Sequence, residues 1–163
     1  MKNMKKINLF PFILCMPLLV GCTSEPKPKA KIYLDYVETG GCFETNAEQM
    51  YQDIVKSKKS TIYILGDSSC RCATDAMREL KRIGLERHFE SFYIEIHGMS
   101  TGSSDYAQIQ QATRGSSDDD MYKIGDTNPS IYFFLQGEVA FRIGDSNLES
   151  YVSRYVEVSV PNS

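Results

Sequence analysis

The chain has 163 residues, with 18 Lys and Arg against 21 Asp and Glu and a formal net charge of −3. That length suits one domain with a real buried core. The acid excess argues against nucleic-acid binding, which rests on Lys and Arg at phosphates, and favours solubility.

The N-terminus reads as a targeting segment. Lys2, Lys5 and Lys6 precede an apolar run from Ile7 to Val20, interrupted by Asn8, Pro11 and Pro17. A basic head, a short apolar middle and a small-residue end make a secretory signal, and the run is too short to span a bilayer comfortably. The closing Leu19-Val20-Gly21-Cys22 resembles the lipobox of bacterial lipoproteins. The resemblance implies cleavage of residues 1–21 and acylation of Cys22, palmitate-like chains contributing about 0.8 kcal/mol per buried methylene. Thr23 rather than Asp follows, which in a Gram-negative cell implies the outer membrane, facing the periplasm. Loss of the three signal lysines leaves 15 basic against 21 acidic residues, a net charge of −6.

Residues 22–31 form a lipidated tether. Thr23 to Lys31 holds Pro26 and Pro28 and no apolar residue larger than Ala, a composition that stays solvated. Residues 32–163 are the expected domain. Lys31 to Val37 is β-prone, and Gly40-Gly41 breaks it. Asn46 caps a helix to about Lys58, with Ala47, Met50, Tyr51, Ile54 and Val55 on one face. Thr61 to Leu65 is an apolar run fit for a buried central strand. Gly66 to Cys72 is a loop, followed by a helix starting at Thr74 or Asp75 and ending near Arg87. Ser91 to His97 alternates as a third strand.

Asp105 to Thr113 is a short helix, and Asp118-Asp119-Asp120 reads as a solvated loop whose spacing matches no EF-hand. Ser130 to Leu135 and Glu138 to Ile143 are strands joined by the two-residue turn Gln136-Gly137. Gly144-Asp145-Ser146 opens a last helix carrying Leu148, Tyr151, Val152 and Tyr155. Alternating strands and helices followed by a hairpin imply a partly parallel sheet with helices on both faces.

Chemistry concentrates on sulfur. Of five cysteines, Cys15 leaves with the signal and Cys22 takes lipid. Cys42, Cys70 and Cys72 remain in an oxidising compartment, where disulfides persist, and their odd number leaves a free thiol or an intermolecular partner. Cys70-Arg71-Cys72 lies between a strand and its helix. Helix N-termini and a neighbouring guanidinium favour thiolate, the species that attacks disulfides. Residues two apart in a helix point roughly opposite ways, so a Cys70–Cys72 bond calls for loop geometry. The alternative is a permanent Cys42–Cys70 staple with Cys72 buried.

These elements resemble the thioredoxin superfamily. The matching pieces are the strand Thr61 to Leu65, the cysteine pair before a helix, the strand Phe92 to Ile96, and Asn128-Pro129-Ser130 leading into the hairpin, with Tyr122-Lys123-Ile124 ahead of it. The resemblance covers about Lys31 to Val156, with Cys-x-Cys in place of the family's Cys-x-x-Cys. It implies an α/β, thioredoxin-like fold with a central mixed sheet of about five strands in the order 1-3-2-4-5. It also implies that Pro129 follows a cis peptide bond beside the active-site sulfurs. Cys70 is then the attacking thiolate, Cys72 or else Cys42 the resolving thiol, and Arg71 an electrostatic aid. No cofactor is implied. Asp67 and Glu95 are the acids placed to move protons, or are simply paired carboxylates.

Three functions fit this reading. One is a membrane-tethered thiol–disulfide oxidoreductase or isomerase whose partners are thiols or disulfides of exported proteins. Another is a copper- or zinc-binding module in which Cys70, Cys72 and His97 are the ligands, since thiolate and imidazole suit both metals. The Sco family carries copper on a similar fold. The remaining one is a non-catalytic interaction module of an envelope assembly. His88 and His97 are otherwise ordinary surface or hydrogen-bonded residues.

Overall fold

A computed structural model describes residues 30–113, 128–144 and 147–160. The expected signal segment, Cys22, the expected tether up to residue 29, the acid run at 118–120 and Tyr122-Lys123-Ile124 lie outside the described residues.

Among the described residues, seven strands and four α-helices follow one another in order. They are β1 (Ile32–Asp35), β2 (Gly41–Thr45), α1 (Ala47–Tyr51), which continues as a π-helical turn (Gln52–Lys56), and β3 (Thr61–Gly66). Then come α2 (Arg71–Arg87), β4 (Glu90–Glu95), α3 (Ser104–Thr113), β5 (Ser130–Leu135), β6 (Glu138–Ile143), α4 (Leu148–Tyr155) and β7 (Val156–Ser159). The main sheet has five strands in the order β2-β4-β3-β5-β6. β3 runs parallel to β4 and antiparallel to β5, so the sheet is mixed. The order matches the expected 1-3-2-4-5 only with β2 in the place expected of Lys31 to Val37, and the architecture is the α/β, mixed-sheet one that the thioredoxin resemblance implies.

The first strand is a correction. The segment Lys31 to Val37 does supply β1, but β1 lies outside the main sheet and pairs in parallel with β7. Its alternation explains why: Ile32 and Leu34 are buried while Tyr33 and Asp35 are exposed, a half-covered strand suited to the flank of the core. The place reserved for it goes to β2, which begins inside the predicted breaker. The glycine pair does separate two strands, β1 ending at Asp35, but Gly41 is itself the first residue of β2. A Cβ on Gly40 would sit 2.1 Å from the Gly84 carbonyl oxygen and 2.6 Å from that of Phe89. The chain can cross α2 at this point only without a side chain.

β3 sits at the centre because every residue of Thr-Ile-Tyr-Ile-Leu-Gly can be buried, and all six are. Its side chains alternate between two cores. Ile62 and Ile64 join Ala73, Ala76, Leu80 and Ile83 of α2, together with Leu148 and Val152 of α4. Tyr63 and Leu65 join Met50 and Ile54, together with Ile109 and Ala112 of α3. Helices therefore cover both faces, and full burial of a side chain of this size contributes about 1.5–3 kcal/mol.

The helices end as their sequences dictate. Asn46 caps α1, its side chain accepting the Gln49 amide at 2.9 Å. The π turn aims the buried Asp53 carboxylate at the Tyr63 hydroxyl (2.8 Å), Gln49 (3.1 Å) and Lys59 (2.6 Å). At the end of α2, His88 takes a left-handed conformation (φ 60°), which closes the helix. The Arg87 guanidinium donates to the carbonyls of Val152 and Val156 at 2.8 and 2.7 Å, locking α2 to the end of α4. The hairpin turn at Gln136-Gly137 places both residues at positive φ, as a tight two-residue turn requires. The last helix holds all four residues expected on it, Leu148, Tyr151, Val152 and Tyr155, and β7 follows it directly as a strand not anticipated from the sequence.

Candidate active site

The cysteine pair lies where β3 hands over to α2, at the C-terminal end of the central strand. Cys70 and Cys72 form a disulfide, with S–S 2.07 Å and Cα–Cα 5.4 Å. The helix begins earlier than expected, at Arg71 rather than Thr74, which places Cys72 inside its first turn. The bond is still possible because Cys70 is the cap residue with extended dihedrals (φ −89°, ψ 126°). One extended residue redirects the first sulfur toward the second, supplying the loop geometry that a helical i,i+2 pair lacks. The Cys70 carbonyl already accepts the Ala73 amide at 3.1 Å and the Thr74 hydroxyl at 3.2 Å. Both cysteines are half-buried.

The peptide bond between Asn128 and Pro129 is cis, and Pro129 is buried at the entrance to β5. Cys72 Sγ lies 3.0 Å from the Asn128 carbonyl oxygen. In the reduced protein that contact can become a thiol donating to a carbonyl, while Cys70 stays at the open amides of the helix start, which favour anionic sulfur. Arg71 points outward, its side chain 92% exposed and its Nε 3.3 Å from Asp75. Its charge is thus shared with a carboxylate.

Gly66 makes the assembly possible. An added Cβ would approach Ala73 Cβ to 2.9 Å and the Tyr93 ring to 3.1 Å, with Asn128 Oδ1 at 3.6 Å. The end of β3, the start of α2 and the segment before the cis-proline all meet at this one residue. Asn128 adds a second tie, its Oδ1 accepting the Asp67 amide at 2.9 Å. Neither residue stood out in the sequence. A glycine ending an apolar strand, and an asparagine before the proline, were the available signals.

The two acids are paired carboxylates. Hydrogen bonds from the Ser69 hydroxyl, then His97 and the Ser69 amide, hold Asp67 down at about 2. Burial pushes Glu95 up, but donors from Ser68, the His97 amide and Tyr93 outweigh it and leave its carboxyl below the usual range. Both stay ionised near neutrality and are poor proton carriers. The hydrogen bond from His97 Nδ1 to Asp67, with its ion pairing, raises the imidazole above its ordinary value. Beside them lies a half-open cleft of about 210 Å³ lined by Asp67, His97, Met99, Thr101, Tyr106 and Asn128.

Cys42 lies elsewhere. It pairs with Ser91 near the start of β4, whereas the disulfide loop follows Gly66, which pairs with Glu95. Four residues of strand separate the two positions, about 13 Å at 3.3 Å per residue. The Cys42–Cys70 staple is therefore not formed, and Cys42 is a free thiol too distant to resolve a bond at Cys70. Burial pushes that thiol up to about 11. Among the described residues no three His, Cys, Asp or Glu side chains are grouped to hold a metal ion. Cys70, Cys72 and His97 thus form no ligand set here, with both sulfurs spent on each other. Among the described residues no helix is long and apolar enough to cross a membrane.

No family model matches the chain, and no curated protein matches it. A solved structure titled "A putative oxidoreductase with a thioredoxin fold" is similar at 17% identity and a TM-score of 0.48, over 69% of this chain and 91% of that one.

Proposed function

We propose that this protein is a membrane-anchored thiol–disulfide oxidoreductase or isomerase that acts on exported proteins through Cys70 and Cys72. The observation that carries the reading is the Cys70–Cys72 disulfide at the start of α2, with Cys72 Sγ 3.0 Å from the carbonyl that precedes the cis-proline.

The chemistry balances without a cofactor. In the reduced protein, the Cys70 thiolate attacks one sulfur of a substrate disulfide. A Cys70–substrate bond forms, the substrate S–S bond breaks, and the second substrate sulfur leaves as thiolate and takes a proton. Cys72, deprotonated, then attacks the Cys70 sulfur. The internal disulfide closes and the first substrate sulfur is released. Two electrons have moved to the substrate, and the reverse sequence oxidises a dithiol. Cys70 is the attacking group because it is the cap residue of α2, at the positive end of the helix dipole, whereas Cys72 is turned toward Asn128. The buried Pro129, at the start of β5, shapes the wall against which a substrate backbone docks. Arg71, exposed on the outer turn, meets the approaching substrate. Cys22 anchors the protein in the cell envelope, at the outer membrane facing the periplasm in a Gram-negative cell.

Insulin reduction tests the catalytic reading. Cys70→Ser abolishes turnover, and Cys72→Ser accumulates mixed disulfides visible by mass spectrometry; equal rates in wild type and Cys70→Ser end the proposal. Metabolic labelling with palmitate tests the anchor: label present on wild type and absent from Cys22→Ser supports it, and an unlabelled wild type removes it.

A further inference from the structure

The disulfide loop is held by a set of polar bonds that sulfur chemistry itself does not require. Asp67 Oδ1 accepts the Ser69 amide at 2.8 Å and the Ser69 hydroxyl at 2.6 Å. The Asp67 carbonyl accepts the Cys70 amide at 2.9 Å. Its Oδ2 accepts His97 Nδ1 at 2.9 Å. Glu95 accepts the Ser68 amide at 3.1 Å, the His97 amide at 3.0 Å and the Tyr93 hydroxyl at 3.2 Å. The same Tyr93 hydroxyl lies 2.9 Å from the Gly66 carbonyl oxygen, and the Asp67 amide reaches Asn128 Oδ1. Each carboxylate thus binds the neighbouring loop: Asp67 holds the turn after β4, and Glu95 holds the loop after β3.

We infer that Asp67, Glu95 and His97 form a polar clamp that positions the Cys70–Cys72 pair and thereby sets how readily its disulfide opens. They are positioning residues, since their hydrogen bonds go to the loops and to each other rather than to sulfur. The inference rests on the thiol–disulfide reading of the site. Physically, the clamp fixes the backbone from Ser68 to Cys70 before the ring closes. Closing a disulfide in a loop already ordered costs less conformational entropy than closing it in a free one. Without the clamp the dithiol gains freedom and the disulfide loses its advantage.

The test is the equilibrium of purified protein with reduced and oxidised glutathione, read by thiol trapping, with far-UV circular dichroism as the check on folding. Hydrogen bonds to charged groups are strong enough for Asp67→Ala and Glu95→Ala each to shift the equilibrium toward the dithiol roughly tenfold. Glu95→Gln keeps one acceptor oxygen, which at the Oε1 position takes both the Ser68 and His97 amides, and shifts it less than about threefold. His97→Ala, at a side chain 68% exposed, serves where an alanine at Asp67 or Glu95 prevents folding, and it shifts the equilibrium in the same direction. Unchanged equilibria in the alanine variants overturn the clamp. So does a Glu95→Gln shift as large as that of Glu95→Ala, because charge rather than hydrogen bonding would then be responsible. The readout is independent of turnover. A wild type inactive on insulin whose equilibrium still responds to Asp67→Ala removes the enzymatic reading and keeps the clamp. An active wild type with unresponsive variants does the reverse.

Discussion

Gly66→Ala is the sharpest test of how the site is assembled. The new methyl lies 2.9 Å from Ala73 Cβ and 3.1 Å from the Tyr93 ring. Apolar carbons rest about 3.5–4.0 Å apart, so α2 and β3 must separate by at least about 0.6 Å. Overpacking of this kind costs about 1–3 kcal/mol, and the stiffer unfolded chain returns about 0.4–1 kcal/mol. The expected net loss is about 1–2 kcal/mol, measured by urea unfolding. Ala73→Gly removes the nearest obstacle and by itself costs about 1 kcal/mol in helix propensity. The double variant should lose less than the two singles together, by about 1 kcal/mol, because the obstructing methyl is gone. Losses that add to within about 0.3–0.5 kcal/mol would show that the contact is not what forbids a side chain at position 66.

Asp53→Ala leaves the fully buried Tyr63 hydroxyl without its carboxylate acceptor and should cost about 2–4 kcal/mol in urea unfolding, with Tyr63→Phe in the same background recovering part of the loss. A Tyr63→Phe change that recovers nothing would place the cost elsewhere. The Asp67–His97 pair has a defined pH window. Asp67 is depressed in the folded state, so its contribution is present above its unfolded value and fades as pH falls toward about 2. His97 is raised, so its contribution is complete below 6.5 and fades as pH climbs through the higher folded value. Glu95 adds a smaller upward push on His97, and Tyr106 lines the same cleft. An NMR titration should therefore place the His97 midpoint above 6.5, and Asp67→Asn should move it back down; an unmoved midpoint refutes the pairing. Cys42, pushed up to about 11, exposes about one thiolate per thousand molecules at pH 8, so in the oxidised protein iodoacetamide should label it far more slowly than an unfolded control. Equal labelling rates would contradict its burial.

The elements legible in the sequence were those whose local pattern and tertiary role agree. Thr61 to Leu65 is apolar throughout because it is covered on both sides, and the hairpin at Gln136-Gly137 declares itself through its turn. Cys70 and Cys72 were legible as a pair able to bond to each other. Their geometry was not, since a cap residue and a loop residue look alike before φ and ψ are known. β2 was hidden because Gly40 is defined by the Gly84 carbonyl, far away in sequence. β1 and β7 were hidden as partners for the same reason: each is a plausible strand alone, and nothing local says that they pair. The roles of Asn128 and Gly66 likewise depend on three separate segments converging.

The β1–β7 seam also has a mechanical meaning. Ile32 pairs with Val156 and Asp35 with Ser159, and the two strands point the same way. Tension applied ahead of Ile32 and beyond Ser159 therefore drags them past each other lengthwise. All the ladder bonds, and the Lys31–Glu157 contact at the seam's edge, resist together instead of unzipping in turn. A stretched chain meets this shear joint at the outset, before the sheet that carries the sulfurs bears any load.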